Sequence, residues 1–251
     1  EERLDEMRSD FVANASHELK TPLASLIGFI ETLRGPARDD NAARDRFLSI
    51  MAEQASRMAR LVDDLGVRVY GGPPFRDRDT YMDAQGRLTY EEDVAVGRER
   101  LREAVDFGRK FDRAARGRLR VLFNAAQVET CTEALLRAGK DAAREQGAPI
   151  HTHAGGNLIE LQRIMDEYRK TPVRFLGDIG FLDERTLLGH VVFTTVHEWT
   201  RYPFGDDLRV LAERGATVGH CPYKYAKMAM TLRSFQRYLE AGVTLAIGTD
   251  T

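Results

Sequence analysis

Apolar residues recur at helical spacing through residues 1–65: Phe11, Leu19, Leu23, Leu26, Ile30 and Leu33, then Phe47, Ile50, Met51, Met58, Leu61, Val62 and Leu65. Steps of three and four put each set on one stripe of an α-helix. Gly35-Pro36 separates the two stripes, so the pattern predicts two long helices joined as an antiparallel hairpin. A hairpin of this size buries little apolar surface alone. The expected form is a homodimer through residues 1–65, with two hairpins making a four-helix bundle.

From Gly66 the period changes. Short β-rich runs are expected at Val67–Tyr70, Leu119–Ala125, Pro149–Ala154, Leu188–Thr194, Ala216–Cys221 and Val243–Gly248. Between them, helical stripes are expected at Glu91–Phe111, Thr132–Gln146, Leu158–Arg169, Asp206–Arg214 and Leu232–Ala241. Alternation of this kind predicts parallel β/α units, hence an α/β fold. The chain divides by character into a helical hairpin over 1–65 and a β/α body over 66–251.

Composition narrows the class. With 251 residues, 43% hydrophobic and 30% charged, there is chain enough for one large or two small cores. No apolar run approaches the roughly 18 residues of a membrane span, and the acidic, polar start is unlike a signal peptide, so the expectation is a cytoplasmic protein. Cys131 and Cys221 form no CxxC pair, which excludes a disulfide framework and a zinc ribbon. A net charge of -2 provides no basic footprint for nucleic acid.

The chemistry concentrates where apolar runs end. Ala148–Gly156 reads A-P-I-H-T-H-A-G-G, and in an extended segment His151 and His153 face the same way. Further runs close on His190 (L-L-G-H), His220 (V-G-H-C-P) and Asp250 (A-I-G-T-D). Polar groups at the C-terminal ends of several parallel strands are the layout of a β/α barrel active site. Imidazole and carboxylate together suit a divalent metal.

Two resemblances follow. The string D-F-V-A-N-A-S-H-E-L-K-T-P-L, containing Ser16 to Pro22, resembles the phosphoacceptor box of bacterial sensor histidine kinases, and the match runs to about Leu65. It implies that His17 accepts a phosphoryl group, that Glu18 polarises its imidazole, and that Thr21 positions water for dephosphorylation. Leu19 and Leu23 belong to the apolar stripe, which turns His17 outward, and Pro22 removes a helical hydrogen bond beside it. No ATP-binding domain follows Leu65, so the implied partners are a kinase acting in trans and a response regulator.

The series P-I-H-T-H, L-L-G-H, V-G-H-C-P and A-G-V-T-L-A-I-G-T-D resembles the second half of metal-dependent amidohydrolases, in the branch of chlorotriazine hydrolases and aminopyrimidine-type deaminases. The resemblance covers Gly66 to Thr251 and implies strands three to eight of an incomplete TIM-type barrel. It makes His153 the fifth-strand metal ligand, His190 the sixth-strand histidine on substrate or water, and His220 a pocket residue. Asp250 becomes the eighth-strand aspartate that binds metal and takes a proton. The implied cofactor is zinc or iron, and the implied substrate is a small heterocycle or amide hydrolysed at C–N or C–Cl. His197 and Trp199 read as structural loop residues near the mouth.

Departures accompany this match. The glutamate that deaminases of this branch carry three residues after the fifth-strand histidine is Gly156 here. No lysine ends the strand at Leu119–Ala125, which argues against a carbamate-bridged pair of metals. The first-strand His-x-His is not found, and the kinase-like hairpin stands in its place, leaving His151 as a candidate for a missing ligand. A six-stranded barrel leaves open edges, expected at Val67–Tyr70 and Val243–Gly248. Three readings result: an impaired hydrolase module on a helical hairpin, a phosphoacceptor and dimerisation protein, or an inactive join of two truncated domains.

Overall fold

The computed structural model describes residues 66–200, 205–227 and 235–248, with single positions between 40 and 64. The hairpin expected over residues 1–65, with His17, Glu18 and Thr21, otherwise lies outside the described residues, and so does Asp250.

The described residues fall into two compact units, one comprising those up to Tyr70 with Phe111–Arg120, the other Gly71–Lys110 with the residues from Val121 onward. Strand β1 (Val69–Gly71) pairs with β5 (Leu119–Val121). A left-handed turn at Arg113, Ala115 and Arg116 precedes β5, and Asp63 accepts from Arg116 Nε at 2.7 Å and Arg118 at 3.1 Å.

The larger unit is a parallel sheet with helical crossovers. Its strands are β2 (Pro74–Phe75), β6 (Phe123–Gln127), β7 (Ile150–Ala154), β8 (Thr186–His190), β9 (Thr217–His220) and β10 (Thr244–Ile247). They lie side by side in that order and every neighbouring pair is parallel. All C-terminal ends therefore share one edge of the sheet. An antiparallel hairpin, β3 (Arg78–Met82) with β4 (Leu88–Glu92), is inserted after β2.

The crossover helices are α1 (Val94–Phe111), α2 (Glu133–Glu145), α3 (Leu158–Tyr168), α4 (Pro172–Asp178) and α5 (Asp207–Arg214), followed by two shorter ones, α6 (Pro222–Lys227) and α7 (Phe235–Glu240). Their starts are set by capping side chains: Thr132, Asn157, Thr171 and Asp206 each accept the backbone N–H three residues on. Leu136, Ile164, Leu176 and Leu211 from the helices pack with Phe123, Ile150, Leu188 and Val218 from the strands in one core. Lys140 crosses that layer to Asp183 (2.6 Å) and Thr186 (2.9 Å). No helix among the described residues is long and apolar enough to cross a membrane.

Three expectations are corrected. The run Leu119–Ala125 is two strands, because the chain changes partners at Leu122, whose N–H goes to Gly71 O at 3.1 Å. Val67–Tyr70 is not an edge of the main sheet: its residues contribute to β1, and the edge strand opposite β10 is β2. The run Leu188–Thr194 ends as a strand at His190, where the backbone turns left-handed at φ 76° and stays so at Val191, φ 47°. The main sheet of the described residues is parallel throughout.

Candidate active site

Strand β7 is half-buried on one face and fully buried on the other. Ile150, Thr152 and Ala154 point into the core, and His151 and His153 share the opposite, partly open face. In the parallel register His153 lies beside Gly189 and Ala154 beside His190. A Cβ at Gly189 would stand 3.2 Å from both His151 Nε2 and His153 Cδ2, so the missing side chain makes room for the two rings.

By pleat alternation alone, His190 would project away from the face used by Gly189. The left-handed φ at His190 rotates its Cβ about the N–Cα bond, and the ring meets His153: Nε2 to Nδ1 is 3.1 Å, with the rings edge to face at 4.7 Å. Such φ values are costly for a non-glycine residue, and more so for the β-branched Val191. Hydrogen bonds hold the turn in place. Val191 N donates to Ala154 O, Val192 N and Phe193 N both donate to Gly155 O at 3.0 and 2.9 Å, and Tyr238 OH donates to Val191 O at 2.6 Å.

The loop after β7 is built around a buried acid. Glu160 accepts from Gly155 N at 2.5 Å and Gly156 N at 2.9 Å, while its own N–H is capped by Asn157. Burial drives the Glu160 carboxyl well above its usual range, reinforced by the neighbouring charge of Glu129 and opposed by those N–H donors. Burial likewise raises Glu129, whose Oε2 has no hydrogen-bond partner among the described residues. The sequence reading missed both, although Asn157-x-x-Glu160 is a capping-box spacing that marks this helix start.

Gly156 occupies the position at which the sequence resemblance implies a glutamate in deaminases. A Cβ there would lie 3.0 Å from His190 Cδ2, 3.2 Å from Tyr225 OH and 3.5 Å from Glu160 Oε2. The space is filled, and Tyr225 OH donates to Gly156 O at 2.7 Å.

His220 ends β9 and is buried at 2% exposure, stacked on Tyr225 at 6.0 Å with Phe235 edge-on at 5.2 Å. Burial lowers its pKa, with a backbone hydrogen bond to His190 opposing, so the ring is held towards the neutral form. His151 turns its Nδ1 to Asn124 Oδ1 at 3.1 Å. His197 and Trp199 sit in the loop after β8, where Trp199 N donates to His197 Nδ1 at 3.2 Å. Lys224, in α6, was not singled out by sequence, yet its Nζ lies 3.5 Å from His190 Nε2.

His153 and His190 bring two ring nitrogens within 3.1 Å of each other. Two nitrogens bound to one zinc at about 2.0–2.1 Å with tetrahedral angles lie about 3.3–3.4 Å apart, close to the separation of His153 Nδ1 and His190 Nε2. Among the described residues no three His, Cys, Asp or Glu side chains form a metal-holding group.

This layout has clear parallels. A 5-methylthioadenosine/S-adenosylhomocysteine deaminase of Halobacterium salinarum is 36% identical over 165 residues, 66% of this chain and 36% of that protein. Among solved structures, an adenosine deaminase from Xanthomonas campestris with bound zinc covers 78% of this chain at 22% identity and TM-score 0.56, with 40% of its own length matched. An atrazine chlorohydrolase from Arthrobacter aurescens complexed with zinc matches 78% of this chain and 41% of its own, at 19% identity and TM-score 0.61. The chain thus spans less than half the length of these relatives. The Amidohydrolase family matches residues 35–251, most of the sequence, and the chain belongs to that family.

Proposed function

We propose that this chain carries part of the active site of a metal-dependent hydrolase that releases ammonia, or a comparable leaving group, from an amino-substituted heterocycle. The observation that carries the reading is the 3.1 Å approach of His153 Nδ1 and His190 Nε2 at the ends of adjacent parallel strands. In this reading His153 and Asp250 would hold a divalent metal, zinc or iron, and His190, against His153, would contact the substrate or the attacking water. When bound, such a metal would lower the pKa of a water so that it can act as a nucleophile on an electron-poor carbon at neutral pH. Asp250 would take up a proton and give it to the leaving amine. His220, neutral and buried behind Tyr225, shapes the pocket wall, and His151 with its Asn124 partner supports the ring of His153.

Deaminase relatives make adenosine-type compounds the first substrates to try. The full chain, loaded with zinc, is expected to take up close to one equivalent that survives dialysis and to release ammonia from 5′-methylthioadenosine. Both properties should disappear in His153→Ala. Zinc retained undiminished in that variant, or no zinc retained by the wild type, would sink the reading and favour the inactive-join alternative.

A second reading concerns the N-terminal segment. Residues 1–34 precede the family match and contain the string Ser16 to Pro22. We propose His17 as a phosphoacceptor, with Glu18 and Thr21 assisting, served by a kinase in trans and read by a response regulator. Acid-labile phosphate that appears with a phosphodonor and vanishes in His17→Gln is the expected result, and its absence with every donor counts against it.

A further inference from the structure

We propose that Lys224 is a substrate-binding residue that selects an anionic group beside the reacting carbon, so that the site favours a planar heterocycle bearing a carboxylate or similar acid. The proposal rests on the reading that His153 and His190 mark the reaction site.

Three contacts fix the first turn of α6 against the strand ends. Tyr225 OH donates to Gly156 O at 2.7 Å, its ring meets His190 edge-on at 5.2 Å, and His220 stacks on it at 6.0 Å. Tyr225 is only 1% exposed, so the helix cannot roll without breaking this packing. Successive helix positions are about 100° apart. With Tyr225 locked beneath, position 224 is turned towards the open side of the strand ends, and its Nζ comes within 3.5 Å of His190 Nε2. The lysine is partly buried, which weakens solvent screening of its charge.

An ammonium has three donors and no acceptor. Placed beside His190, it puts a positive charge within a few ångströms of the paired imidazoles. A substrate that brings negative charge to that spot is favoured over a neutral one of the same shape. The geometry places that charge next to the reacting carbon, not at the far end of a long substituent.

The test uses an inert pair of equal size, nicotinate and nicotinamide, titrated calorimetrically into the zinc-loaded full chain. Wild type should bind nicotinate about tenfold more tightly than nicotinamide. The preference should vanish in Lys224→Met and persist in Lys224→Arg. Equal affinities in the wild type would overturn the proposal. So would a preference that survives Lys224→Met, since it would then come from the metal or another cation. Lys224→Gln serves as a second uncharged variant if near-UV dichroism shows that Lys224→Met has lost its packing. Binding is scored without turnover. A protein that binds nicotinate selectively but releases no ammonia keeps this inference and loses the proposed reaction, whereas one that takes up zinc and turns over without the preference does the reverse.

Discussion

Arg78 in β3 and Glu167 in α3, 89 residues apart in sequence, form a two-pronged ion pair with N–O distances of 2.6 and 3.1 Å. A third bond runs from Arg78 Nε to Glu92 Oε2 in β4 at 3.1 Å. The inserted hairpin is thereby fastened to the helix whose first turn carries Glu160 and shapes the glycine loop beside His153. Two parallel N–H···O bonds to one carboxylate fix orientation as well as distance.

Replacing Glu167 with Gln should cost about 1–2 kcal/mol at pH 7 in urea unfolding, less than a fully buried pair because the carboxylate is partly open to water. Burial alone would raise the Glu167 pKa, but the Arg78 hydrogen bonds and charge outweigh it and the net shift is downward from 4.5. Its contribution is therefore complete above that value and is lost as pH falls through the lowered folded value. The gap between wild type and variant should be constant from pH 7 to about 5 and close progressively below 4.5.

Gly189→Ala tests the room left for the histidines. The added methyl meets His151 Nε2 and His153 Cδ2 at 3.2 Å, so the rings must give by a few tenths of an ångström. About 1–3 kcal/mol of stability should be lost through overpacking, and zinc should be held about tenfold more weakly because His153, the proposed ligand, is displaced. Competition against a chelating dye reads the affinity. An unchanged value would remove His153 from the ligand set.

The two thiols should behave differently. Cys131 is fully buried, and burial, with the charge of Asp77 adding to it, pushes its pKa up to about 12. Cys221 is partly exposed at the end of β9. With a disulfide reagent at pH 8, one thiol per chain should react rapidly and the second only in denaturant. Cys221→Ser should abolish the rapid phase.

Tyr238→Phe removes the hydroxyl that anchors Val191 O at 2.6 Å. The phenol is buried and its pKa is raised by that burial, so it remains a donor throughout the neutral range. Losing it leaves a buried carbonyl short of a donor beside a backbone already in a costly conformation, for about 1–3 kcal/mol in thermal or urea unfolding. The 190–193 turn should also loosen, with faster amide exchange at Val191 and Val192 than at Leu188.

Part of this arrangement could be read from sequence and part could not. His151 and His153 share a face because β7 is regular, and a two-residue period is visible in the letters alone. The position of His190 is not visible. A left-handed pair without glycine or asparagine leaves no signature, and the apolar Val191-Val192-Phe193 reads as more strand. The β3–β4 hairpin has charged, exposed strands without apolar alternation, and its signal lay in the turn Asp83-Ala84-Gln85-Gly86, where Asp83 Oδ1 accepts from Gln85 and Arg87. Helix α4 was not among the expected helices, although Thr171-Pro172, a cap followed by proline at the first helical position, marks its start. Nothing in the pattern separated Lys224 from Lys227; only the packing of Tyr225 does so.

Because sheet order follows chain order, each strand leaving the ribosome finds its neighbour already made. The strands that carry His153 and His190, β7 and β8, precede β9 and β10 in the chain. At about 5–20 residues per second, the 54 residues from Phe193 to Ile247 take roughly 3–11 s to synthesise. Tyr238 is made within that interval, so β7 and β8 have their neighbours before the hydroxyl that anchors the turn at Val191 exists, and the turn that carries His190 is the later of the two to be fixed.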